Sequence, residues 1–306
     1  MQGCQPTEVT VLGPTPLLIV YCVLILLASL AGGWIPLLVR LTHQRMQLAI
    51  SLVAGFIFGI ALLHMVPHAL AESGSDEAVM LWVLVGFLVM FFLERFFCFH
   101  HHDAPAADEI DGHEDGHAHT ESHGHELAWS GAAVGLTLHS ILAGIALAAA
   151  NQAAEPGHWA WPGIGVFLVI ILHKPLDSMT LGTLMAMGGW SARSRHLVNG
   201  LFALAIPVGA IVFHVGAAAM SESGGAIAPA LAFSAGVFMC IAMSDLLPEL
   251  QFHRHDRTKL SIALILGLLM AWSISHLESS HTHGPTAHDH VHQVKPGGDT
   301  EHDHQH

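Results

Sequence analysis

The chain has 306 residues; 52% are hydrophobic and only 11% charged, with 27 histidines against 10 lysines and arginines and a formal net charge of −14. Soluble domains carry about 25% charged residues, so composition all but excludes a water-soluble enzyme. A net acidic chain has no electrostatic basis for holding nucleic acid, and the partners it suits are cations and the lipid bilayer.

A spanning helix needs about 20 mostly apolar residues. The first stretch, MQGCQPTEVT, has no basic segment of the kind that opens a cleaved signal peptide, and residues 1–16 read as a short tail. Eight apolar stretches follow, at roughly 17–39, 47–70, 79–99, 130–150, 160–187, 197–219, 228–249 and 260–277. None alternates with period two, which disfavours a β-barrel. The predicted fold is all-α: one polytopic membrane domain of eight transmembrane helices over 17–277, with a His-rich loop at 100–129 and a His-rich tail at 278–306. Cys4, Cys22, Cys98 and Cys240 are isolated and form no CxxC pair, so they read as small apolar residues.

The scarce basic residues orient these spans. Arg40, Arg45, Arg95, Arg193, Arg195, Arg254, Arg257 and Lys259 fall in or beside alternate connections, whereas the other connections and both tails hold only Lys295. Eight against one, by the positive-inside rule, predicts both termini outside and the loop after the third span in the cytoplasm. Residues 100–126 and 281–306 each hold eight histidines among Asp and Glu. Such tracts cannot bury a core. Imidazole interleaved with carboxylate suits weak, exchangeable binding of divalent cations such as zinc.

Ionisable groups at mid-membrane cost several kcal/mol and mark function by default. The fourth span reads GLTLHSILAGIALA and centres on His139 and Ser140; the fifth reads VIILHKPLDSMTLG and centres on His173, Lys174 and Asp177. His173 and Asp177 are four apart and share a helix face, so the two can chelate one ion. His139 from the neighbouring helix offers a third ligand, and this nitrogen-plus-carboxylate set fits zinc and its neighbours. Pro175 is expected to kink the fifth helix and free the carbonyl of Ile171. Lys174 reads either as a counter-ion to Asp177 or as a cation filling the place of a second metal. His64 and His68 are four apart across Pro67, toward the outer mouth. Asp245 and Glu249 end the seventh span near the inner face. In series these groups describe a cation route, although any one alone reads equally as an interhelical hydrogen bond or interfacial polarity. Gly55 and Gly59 permit close packing of the second helix. His214, in the sixth span, has no evident partner.

These motifs make the chain resemble the ZIP (Zrt/Irt-like) metal transporters over roughly residues 17–277. The family's helix-four motif is matched by His139-Ser140-Ile141-Leu142-Ala143-Gly144, and its helix-five motif by His173-Lys174-Pro175-Leu176-Asp177. His64-Met65-Val66-Pro67 and Asp245-Leu246-Leu247-Pro248-Glu249 match the motifs of helices two and seven. Two positions depart: Ala143 stands where the family has a glutamate ligand, and Ile206 where an acid often precedes Pro207. The resemblance implies uptake of Zn2+, or of Cd2+, Fe2+ or Mn2+, toward the cytoplasm, and the short tails and loops suggest a plasma membrane. It implies a one-metal site of His139, His173 and Asp177, with water or Ser140 as a fourth ligand. It also implies a homodimer and no enzymatic activity.

Three other readings compete. A cation-diffusion exporter also uses His-x-x-x-Asp, but has six spans, both termini inside and a folded cytosolic domain. An intramembrane metallohydrolase would need a general acid or base, and no H-E-x-x-H occurs here. A metal-binding sensor or scaffold that no longer transports is a minor alternative that Ala143 makes credible.

Overall fold

The structure, a computed structural model of the chain, describes residues 14–33, 43–97, 122–153, 161–220, 225–252 and 257–279. The N-terminal tail, most of the His-rich loop, the C-terminal tail, Arg40, Arg254, Cys4 and Cys98 lie outside them. Among the described residues, eight helices are long and apolar enough to cross a membrane, as the hydropathy of the sequence predicts. We number these α1 to α8. α1 is Pro14–Gly32. α2 runs from His43–Ile60 through a π-helical turn, Ala61–Met65, into Val66–Glu72. α3 is Asp76–Phe97, α4 Ser122–Ala153 and α5 Ile164–Met187. α6 has two parts, Ala192–Ala203 and Ala205–Met220. α7 is Ile227–Phe252 and α8 Arg257–Ser279.

Several boundaries differ from those expected. α1 closes at Gly32 instead of continuing to 39. α4 begins at Ser122, inside the stretch read as loop; extending an existing helix avoids the cost of nucleation, so a polar segment adjoining an apolar one can stay helical. α5 starts at Ile164, because Gly163 turns the chain with a left-handed φ of 73°. α6 begins on Ser191, whose Oγ accepts the Ser194 N–H at 3.2 Å. It breaks at Leu204, where the Leu204 N–H reaches back three residues to Leu201 O at 3.1 Å. Pro207 follows and has no N–H for the Ala203 carbonyl, which accounts for the interruption.

The helices fall into two groups. α1, α4, α5 and α6 pack on one another, as do α2, α3, α7 and α8. The groups meet where α7 and α3 face α4 and where α2 faces α5. Phe96, Leu197, Ile211, Val215 and Trp272 are among many large apolar side chains turned outward, which suits lipid and not water. Tyr21 of α1 stacks on Phe167 of α5 at 4.3 Å between ring centroids. Elsewhere small residues bring the backbones together, as packing without a hydrophobic drive requires. Gly55 lies against the backbone of Leu264 in α8 and Gly59 against the Cβ of Ala271, so the expected close face of α2 is used. Gly144 of α4 meets Ile206 and Gly209 of α6 in the same way.

A side chain at Gly144 would have to displace that backbone contact. We expect Gly144→Val to separate α4 from α6 and destabilise the protein by about 1–3 kcal/mol, seen as a lower melting temperature in detergent. A melting temperature equal to wild type would contradict the packing.

Candidate metal site

α4 and α5 form a hairpin whose closed end fixes their register. Asn151 Nδ2 donates to Pro162 O at 3.2 Å, and the left-handed Gly163 packs against the Asn151 backbone. From this end His139 lies 12 residues back along α4 and His173 10 residues forward along α5. At about 1.5 Å per residue these are similar depths, about 18 and 15 Å. The hairpin therefore sets the two imidazoles side by side.

His139, His173 and Asp177 converge, each offering one ligand atom with all three within 4.8 Å of one another. Asp177 Oδ2 is 3.7 Å from His139 Nε2 and 3.9 Å from His173 Nε2. The two rings are 5.6 Å apart and inclined at 62°. Tetrahedral ligands at zinc bond lengths lie about 3.3–3.5 Å apart, so small side-chain rotations would close the set on an ion. His139 and His173 are buried, and Asp177 is half-buried. His173 Nδ1 hydrogen-bonds Val169 O at 2.8 Å. Because a carbonyl only accepts, that proton sits on Nδ1 and Nε2 keeps its lone pair toward Asp177. His173 Nε2, His139 Nδ1 and Asp177 Oδ2 are buried and have no hydrogen-bond partner. Buried polar atoms are seldom left so. His173 Nε2 and Asp177 Oδ2 face each other at 3.9 Å, and His139 turns its Nε2 to the same carboxylate oxygen at 3.7 Å, an arrangement that suits a bound cation.

Lys174 points elsewhere. Its Nζ donates to Ser140 Oγ and lies 3.4 Å from the centroid of the Phe202 ring of α6. The residue is fully buried and forms no ion pair with Asp177, although the two are three residues apart. Ser140 Oγ in turn donates to Leu136 O at 2.6 Å. Ser140, expected as a fourth ligand, is thus occupied by the lysine. α5 stays α-helical through Pro175, against whose backbone Gly32 of α1 packs.

α2, like α6, is irregular. His64 lies within its π turn and His68 three residues beyond that turn, and their rings lie 4.4 Å apart. His64 is buried and meets Gly165, the second residue of α5, where a Cβ would stand 3.5 Å from its ring. Since Gly165 is eight residues before His173, the pair sits about 12 Å along α5 from the three-ligand cluster. Asp245 and Glu249 are on α7, but their side chains lie outside the described residues, as do His253 and His255. His214 pairs with Gln152 at 2.9 Å.

Some polar groups had not been anticipated. Glu94 of α3 accepts from Ser244 Oγ at 3.1 Å and faces Cys240 Sγ at 3.9 Å; its signal is a single acid within FFLERFF. Ser29 and Ser178 hydrogen-bond at 2.8 Å between α1 and α5.

Residues 15–275 match the family described as ZIP Zinc transporter. Among curated proteins, Zinc transporter ZIP9-B of Xenopus laevis is 26% identical over 82% of this chain and 96% of its own length. Zinc transporter ZIP9 of Xenopus tropicalis matches to the same extent. Zinc transporter ZIP9 of Macaca fascicularis is 30% identical over 46% of this chain and 65% of its own length.

Removing one ligand should be felt directly. His173→Ala or Asp177→Asn is expected to weaken zinc binding by at least about tenfold in a competitive titration, the loss of one metal bond being worth more than about 1.4 kcal/mol. Lys174→Met removes a nearby positive charge and is expected to strengthen binding by about three- to tenfold. Unchanged affinity in Lys174→Met would mean that the charge does not reach the site.

Proposed function

Because the chain belongs to the ZIP family of zinc transporters, we propose that it moves Zn2+, or a related divalent ion, across the membrane toward the cytoplasm. His139, His173 and Asp177 take the ion at mid-membrane. The observation that carries this reading is the convergence of three ligand atoms within 4.8 Å, in an apolar interior, from two adjacent helices. Each ion must exchange its hydration shell for these ligands, and then exchange them back for water.

In this reading the ion enters past His64 and His68 and leaves past Asp245 and Glu249, with both termini outside a plasma membrane. The His-rich tail gathers ions outside and the His-rich loop buffers them inside. The ligands lie on α4 and α5, in one helix group, whereas the entry and exit residues lie on α2 and α7, in the other. Movement of one group against the other, as the family resemblance implies, would carry the site from one side to the other. The chain acts as a transporter and not an enzyme, and two copies associate as a homodimer. Lys174 stands where a second metal would sit.

Ala143 shapes the strength of the site. It is buried in the apolar core of α4, one turn from His139 at the position of the family's glutamate. With no carboxylate there, the shell has three protein ligands, which favours release over retention.

The deciding measurement is zinc uptake into proteoliposomes. Wild type should fill at least about tenfold faster than the His173→Ala/Asp177→Ala double variant. Equal rates would overturn transport through this site and leave a metal-binding sensor as the reading. Ala143→Glu should bind zinc about tenfold more tightly while turning over more slowly. No gain in affinity would show that the missing acid is not what weakens the site.

A further inference from the structure

An α-helix closes each carbonyl with the N–H four residues on. For Leu63 that residue is Pro67, which has no N–H. The gap lies in the π turn of α2, where the Val66 N–H already bonds the carbonyl of Ala61. A carbonyl that loses its α-helical donor is stabilised by any other donor within reach. Here a side chain of another helix supplies one: Ser275 Oγ of α8 donates to Leu63 O at 2.6 Å. On the next residue, the ring Nδ1 of His68 hydrogen-bonds His64 O at 2.9 Å.

The position of Ser275 follows from the packing of α2 on α8. Gly55 faces Leu264, Gly59 faces Ala271, and one turn further along both helices Leu63 faces Ser275. The serine is the polar end of a seam of small residues, and it meets the helix where its regular hydrogen bonding fails. His64 directly follows the capped carbonyl, and its ring already abuts Gly165 of α5. A slight rotation of the turn would drive the imidazole into the α5 backbone or swing it away.

We propose that Ser275 is a positioning residue for the His64–His68 pair. By donating to the Leu63 carbonyl it holds the π turn that aims both imidazoles at an incoming divalent cation. This rests on the reading of His64 and His68 as the entry to the metal route. Ser275 touches no ion; it acts through the backbone that bears the two histidines.

The test is zinc uptake by the full chain in proteoliposomes, measured against zinc concentration. Ser275→Ala should raise the half-saturating zinc concentration about three- to tenfold, the size expected from one lost hydrogen bond, and keep the maximal rate within about twofold. Ser275→Thr, which retains the hydroxyl, should restore the wild-type value. The sharper test uses Pro67→Ala, which returns an N–H to residue 67. In that background Ser275→Ala should shift half-saturation by less than about twofold, because Leu63 no longer needs the serine. Equal shifts in both backgrounds, or no shift from Ser275→Ala in wild type, would overturn the proposal. Should Ser275→Ala alone not fold, recovery of folding and uptake in the double variant carries the inference, and failure of both overturns it. A His64→Ala/His68→Ala variant with unchanged half-saturation would instead refute the entry reading itself.

Discussion

Hydrocarbon offers no hydrogen-bond partners, so polar groups inside a membrane protein must be met by the protein itself. Several buried polar groups are met in this way. Lys174 meets Ser140 and Phe202, Ser29 meets Ser178, Glu94 meets Ser244, and Leu63 O meets Ser275. Against that background, the convergence of His139, His173 and Asp177 stands out, because His173 Nε2 and Asp177 Oδ2 are buried and unmet where the three side chains come together. A packed protein tolerates such a set where a cation comes and goes. The same constraint explains why the set spans two helices. A single helix presents ligands on one face only, and closing a shell around an ion needs donors from another side.

Much of this was legible in the sequence. Apolar runs of the right length gave eight spans, since an apolar helix long enough to cross has few alternatives. The spacing of His173 and Asp177 gave a shared face, and the central place of His139 in the adjacent span gave the partner. What stayed hidden depends on neighbours distant in sequence. The direction of Lys174 is set by Phe202, on a helix that sequence spacing cannot place beside it. Proline alone did not tell where a helix becomes irregular. Pro175 lies in a helix that remains regular, whereas Pro67 follows a π turn. Ser275 has no local signal at all, because its role is defined by a carbonyl 212 residues away. Glu94 had a signal, a lone acid in an apolar run, but near a helix end this resembles ordinary interfacial polarity.

Charge gives the site its character. His139, His173 and Asp177 bring one carboxylate among them, which would half neutralise a divalent ion held there. Lys174 adds a positive charge that Ser140 and the Phe202 ring hold aside instead of pairing it with Asp177. The Asp177 carboxylate is therefore not taken up by Lys174. A buried lysine that paired with Asp177 would have to be displaced at each cycle, at the cost of breaking a close charge contact in a low dielectric. Holding it on a hydroxyl and an aromatic face avoids that competition.

The pairing of α2 with α8 also bears on how the chain is made. Gly55 finds Leu264, and Leu63 finds Ser275, about 200 residues later in synthesis. At roughly 5–20 residues per second this is a wait on the order of 10–40 s. During it the glycine face of α2 and the Leu63 carbonyl above it are inserted but not yet covered by α8, as is the face of α3 that awaits α7. The first group has a shorter wait, since α4, α5 and α6 follow one another directly. The helices bearing the three ligands can thus assemble while the other half of the protein still lacks its last two members. The eighth helix is the one that donates a hydrogen bond to the backbone of the second.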